Sequence, residues 1–148
     1  MSPPSVLLVE DNPQDEMLIL RSLRKIHLAN KVEVMRDGQQ AVDYLMAEGE
    51  FASRDRGQLP AVVLLDIGLP RLSGIEVLQR LRDSEHTRLL PVVMLTSSDE
   101  DMDRLRSYEC GANSFVRKPL DFGEFAETVA SLGAYWLITN RPPPTEGN

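Results

Sequence analysis

The sequence predicts an α/β domain, a mostly parallel five-stranded sheet with helices on both faces, and two observations carry that expectation. Short apolar runs such as Ser5-Val6-Leu7-Leu8-Val9, Ala61-Val62-Val63-Leu64-Leu65 and Val92-Val93-Met94-Leu95 are continuous rather than alternating, as strands covered on both faces are. Between the runs lie amphipathic segments opened by capping residues. Strand and helix therefore alternate, which calls for right-handed βα crossovers and places every strand's carboxyl end on one edge.

The first run ends on Glu10-Asp11. Asn12 then caps a helix that has Pro13 at its first position, Asp15 and Glu16 in its positive first turn, and Ile19, Leu20, Leu23 and Ile26 on one face. Val32-Glu33-Val34-Met35 reads as a short strand, and Asp37 with Gln40 opens a second helix through Ala41, Leu45 and Met46. Residues 47–60 carry no period and mix charge with glycine, so they read as a long surface connection.

The third strand, bounded by Pro60 and by Gly68 and Pro70, stops on Asp66. Ser73 and Glu76 form a capping box ahead of Ile75, Leu78 and Leu81. The fourth strand runs into the hydroxyls Thr96, Ser97 and Ser98, and Ser98 with Asp101 is placed to cap a fourth helix through Met102 and Leu105, stopped by Gly111. Ser114-Phe115-Val116 is a fifth strand ending in Arg117-Lys118-Pro119. Asp121 and Glu124 cap the last helix, with Phe125, Val129, Leu132 and Trp136 facing inward, before Arg141-Pro142-Pro143-Pro144 ends regular structure.

Composition bounds the function classes. A chain of 148 residues, 42% of them hydrophobic, suits one domain. The single cysteine, Cys110, excludes an internal disulfide, and with no leader pattern the expected compartment is the cytoplasm. Apolar runs of about six residues fall far short of the ~20 that cross a bilayer. A net charge of −7 argues against nucleic acid as a direct partner.

The shared edge collects Glu10 and Asp11, Asp66, Thr96 and Lys118 from four strand ends. Singly, each has a plain structural reading, with Asp66 a loop cap, Thr96 a helix cap and Lys118 a partner for any carboxylate. Jointly they read as a site. Carboxylates brought together repel unless one keeps a proton or a cation intervenes. With no histidine or cysteine beside them, the suitable cation is a hard divalent ion such as Mg²⁺. His27 and His86 fall away from this edge and read as surface residues. Lys118 and Thr96 supply the cation and the hydroxyl donor that a transferred phosphoryl group needs opposite a metal, and Asp66 can then act as nucleophile.

In this order, Glu10-Asp11, Asp66, Thr96 and Lys118-Pro119 resemble the receiver domain of two-component response regulators, a likeness that covers residues 5–137 and leaves 138–148 as a tail. The resemblance implies a flavodoxin-like sheet of order 2-1-3-4-5 with five helices. Chemotaxis receivers are a familiar example of that order, so it is carried by the likeness and not by spacing. The resemblance makes Asp66 the phosphoacceptor, Asp11 a direct Mg²⁺ ligand, Glu10 a ligand through water and Gly68 a ligand through its carbonyl. Thr96 and Lys118 would bind phosphoryl oxygens, with Lys118-Pro119 a cis bond. The aromatic switch position falls on Phe115, which lacks a tyrosine hydroxyl.

The long 47–60 connection and the Gly133–Asn140 stretch followed by Arg141-Pro142-Pro143 are similar to small regulators that accompany bacterial and cyanobacterial phytochromes. The implied partner is a sensor histidine kinase. With no output domain expected, association with a second copy is the expected output, through the fourth helix, fifth strand and fifth helix. Tyr135, Trp136, Leu137 and Ile138 are consecutive, and successive residues advance about 100° around a helix, so some must face outward.

Two other classes compete. A Mg²⁺-dependent phosphohydrolase working through an aspartyl phosphate needs a second carboxylate soon after the nucleophile, where this chain has Ile67-Gly68-Leu69-Pro70. A mononucleotide binder needs a phosphate cradle after the first strand, where Glu10-Asp11-Asn12-Pro13 is acidic and lacks glycine.

Overall fold

The computed structural model describes residues 5–25, 31–98 and 100–144. Five parallel strands, β1 (Ser5–Val9), β2 (Lys31–Met35), β3 (Val62–Leu65), β4 (Val92–Thr96) and β5 (Ser114–Arg117), form one sheet in the order β2-β1-β3-β4-β5. The α-helices are α1 (Pro13–Lys25), α2 (Gly38–Met46), α3 (Gly74–Asp83), α4 (Asp101–Glu109) and α5 (Phe122–Ala134). The flavodoxin-like order implied by the resemblance is the one observed.

The apolar runs are continuous because neighbouring residues serve different layers. Leu7, Val9, Val63, Leu65, Val92 and Met94 face α2 and α3, where they meet Leu45, Leu78 and Leu81. Val6, Leu8, Val62, Leu64, Val93 and Leu95 point the other way, into a second core built with Ile19 and Leu23 of α1 and Phe125 and Val129 of α5. Both faces being dry, a polar side chain has no place along the central strands until they end. Glu10 and Asp66 are therefore the first residues past the ends of β1 and β3.

Four caps form as the sequence predicts, the first with Asn12 Oδ1 accepting from the Gln14 and Asp15 N–H groups. Asp37 and Asp121 each accept from the backbone N–H three residues on, and Ser73 and Glu76 close a reciprocal capping box. The cap expected for α4 differs: the helix begins after Glu100, which makes no side-chain cap, and Ser98 Oγ instead accepts from the Glu100 N–H and donates to Asp103 Oδ2 at 2.6 Å. Within α4 only Ser107 is buried, while Met102 and Leu105 are more than half exposed.

Three further departures have local causes. The 47–60 connection contains a 3₁₀ turn, Gly49–Phe51, whose Phe51 ring meets Tyr44 edge-on at 5.2 Å while Arg54 stacks 3.7 Å over the Tyr44 ring. After α5 the helix widens into a π turn, Tyr135–Thr139, which adds a residue to the turn and brings the consecutive Trp136 and Leu137 into the core together. Tyr135 and Ile138 then face outward, at 49% and 61% exposure. His86 is half-buried rather than a surface residue, its Nε2 3.3 Å from the Leu45 carbonyl in the last turn of α2. Ile26 and His27 lie outside the described residues.

Candidate functional site

The carboxyl edge brings together residues that lie up to 108 positions apart in the chain. The Asp66 N–H donates to Val9 O, and the Glu10 N–H to Met35 O, so the parallel ladders carry one residue past the strands and hold both backbones still. One oxygen each from Glu10, Asp11 and Asp66 lies within 4.8 Å of the others. Glu10 is buried, Asp66 half-buried and Asp11 exposed. The trio offers only carboxylate oxygen, and Lys118 crosses from β5 to face it.

Lys118 is the electrostatic centre of the site. Its side chain is 7% exposed, and its Nζ donates to Glu10 Oε1 at 2.5 Å and to Asp15 Oδ2 at 2.9 Å, with Asp66 Oδ2 at 3.7 Å. Burial alone pulls the ammonium toward losing its proton. The bonds to Glu10 and Asp15 and the charge of Asp66 outweigh burial, and the lysine is held protonated above its ordinary range. Burial pushes the Glu10 carboxyl upward, against the pull of Lys118. Glu10 Oε2 also accepts from the Asn12 N–H at 3.1 Å. With both oxygens engaged by protein donors, Glu10 is less available to a cation than Asp11.

Thr96 is buried at the end of β4, where its Oγ1 accepts from the Ser98 N–H at 3.2 Å. The Lys118 N–H donates to Thr96 O at 2.7 Å, which ties the two strand ends together. Gly68 is exposed two residues beyond Asp66, and a Cβ there would meet nothing within 4 Å, so the position is open to a backbone role without needing glycine for space. Gly74 does need its hydrogen: a Cβ would lie 2.1 Å from Asp66 O, because the first turn of α3 packs on the loop that carries Asp66. Phe115 is part-buried against the α2–α3 core.

One expectation of the resemblance fails. No peptide bond among the described residues is cis, so Lys118-Pro119 is trans, the isomer that X–Pro bonds favour by default. Among the residues that touch Lys118, Asp15 escaped the sequence. Asp15 was legible only as an acid in a helix's first turn, because its contact with Lys118 depends on β5 ending beside α1. Among the described residues no helix is long and apolar enough to cross a membrane.

Comparison with known proteins agrees with this geometry. Residues 6–130 match the response regulator receiver domain family. The "Probable methanogenesis regulatory protein FilR2" of Methanothrix harundinacea is 43% identical over 139 residues, 93% of this chain and 86% of FilR2. The phosphorylated cyanobacterial phytochrome response regulator RcpA superimposes with a TM-score of 0.90 at 32% identity, over 97% of this chain and all of RcpA. The Mn²⁺-bound form of response regulator Rcp1 does so with a TM-score of 0.89 at 31% identity, over 96% of this chain and all of Rcp1. An acidic trio able to take a divalent metal, a lysine bridging to it and a match along nearly the whole fold lead to one conclusion: the chain belongs to the response regulator receiver domain family and is a phosphoacceptor switch of two-component signalling.

Proposed function

We propose that Asp66 is the phosphoacceptor and that Mg²⁺ held by Asp11, Asp66, the Gly68 carbonyl and, through water, Glu10 is required for transfer. The observation that carries this is the meeting of Asp66, Glu10, Asp11 and Lys118 at one strand edge. The bound ion would neutralise the carboxylates and take up phosphoryl oxygens. Asp66 forms the new oxygen–phosphorus bond as the donor's phosphorus–nitrogen bond breaks, the electron pair remaining on the donor imidazole. Lys118 and the Thr96 hydroxyl then meet the oxygens of the transferred group, the hydroxyl donating its hydrogen while its oxygen accepts from the Ser98 N–H. Phe115, paired with Met94 across the β4–β5 ladder, is the switch position, acting by packing because it has no hydroxyl.

The proposed donor is a sensor histidine kinase of the bacterial phytochrome kind, as the likeness to RcpA supports. We place the phosphoryl switch in residues 5–137 and read 138–148 as a tail, with the chain working in the cytoplasm as a homodimer through α4, β5 and α5. Mass spectrometry after incubation with Mg²⁺ and a small phosphodonor tests the acceptor. The parent chain gains one phosphoryl group and Asp66→Asn gains none; a label that persists on another acidic residue of that variant sinks the assignment.

A further inference from the structure

Asp15 stands in the first turn of α1, where Asn12 Oδ1 accepts from the N–H groups of both Gln14 and Asp15 and fixes the turn. Its Oδ2 holds Lys118 Nζ at 2.9 Å. Of the three carboxylates around that ammonium, Glu10 and Asp66 belong to the metal-binding trio and Asp15 does not. A cation entering the trio draws on the oxygens that Lys118 leans on. A buried ammonium stripped of partners is costly, so without a further acceptor metal and lysine would exclude each other.

We propose that Asp15 is a positioning residue that retains the Lys118 ammonium on the α1 side of the pocket when Glu10, Asp11 and Asp66 take up a divalent cation, so that metal and ammonium share the site. The proposal rests on the trio being the metal site. It differs from a simple charge effect, in which Asp15 would attract the cation directly, and from a helix-end effect, in which Asp15 would only favour the start of α1.

A double-mutant cycle on the full chain separates these, with Mn²⁺ as the probe, its affinity read by electron paramagnetic resonance and folding checked by circular dichroism. Lys118→Met keeps most of the buried stem and removes the charge. Asp15→Asn is expected to weaken Mn²⁺ binding roughly three- to tenfold in the parent, the scale of one partly shared charge-assisted bond, and to have no such effect in the Lys118→Met background. Equal losses in both backgrounds would show a charge effect, and no loss in either a helix-end residue; each overturns the proposal. A folded parent that binds no Mn²⁺ overturns the metal-site reading itself, an outcome distinct from both.

Discussion

Asp66 is held from behind by a residue that has no side chain. The Gly74 N–H donates to Ile67 O at 2.8 Å, and the space a Cβ would need is already filled by Asp66 O. Gly74→Ala should therefore force the loop outward at a cost of about 1–3 kcal/mol, the usual scale of overpacking, and slow phosphoryl labelling as well. Gly68→Ala should leave both nearly unchanged, since open space surrounds that position. Urea unfolding and labelling of the two variants check the pair, and a Gly74→Ala protein that matches the parent in both would refute the steric reading. Glu10, Asp11, Asp66, Thr96 and Lys118 were legible in the sequence because each stands at or just past the carboxyl end of an apolar strand run, where a polar residue is conspicuous. Asp15, Gly74 and Ser98 were not, because their roles come from contacts between elements and their residue types suit a helix start or turn equally well.

At the scale of elements, the helix starts were easier to read than the helix ends. Asp37, Ser73 and Asp121 are local signals, each acting on an N–H three residues away. The end of α2 is closed instead by Ala47 in the left-handed conformation, and its Leu45 carbonyl is met by His86, which arrives from the connection after α3, in a helix with no basic residue in its own last turn. Burial pulls the His86 pKa below its ordinary 6.5; the charges of Arg56 and Arg54 add to that, and the Leu45 carbonyl opposes it. The folded state thus prefers the neutral ring. Its contribution to stability is complete above pH 6.5 and is lost as pH falls toward the lower folded-state value, while the unfolded chain takes up the proton first. Unfolding in urea at about pH 7.5 and pH 5.5 should show that loss in the parent and a smaller one in His86→Gln. Identical losses would mean that another group titrates.

Across the whole molecule, the apolar side chains left outside the cores lie mainly on α4 and around α5. Met102, Leu105 and Tyr108 are at least half exposed on α4, as are Phe122 at the start of α5 and Ile138 beyond its end. Exposed apolar side chains that join into one patch mark an association surface, whereas single ones are ordinary. Sedimentation of the full chain, with and without an acyl-phosphate mimic, should show a dimer that Leu105→Glu weakens; a parent that stays monomeric in both conditions sinks the homodimer and leaves a one-to-one contact as the output. The sheet itself has a different consequence. Because odd- and even-numbered residues of β1 face separate cores, the strands act as a partition between two packings that share only backbone. Ile19→Val on the α1 side and Ile75→Val on the α3 side should each cost about 0.5–1.5 kcal/mol, and the double variant should cost their sum to within about 0.5 kcal/mol. A larger coupling would mean that the sheet transmits strain from one face to the other, so the two cores could not be repacked independently.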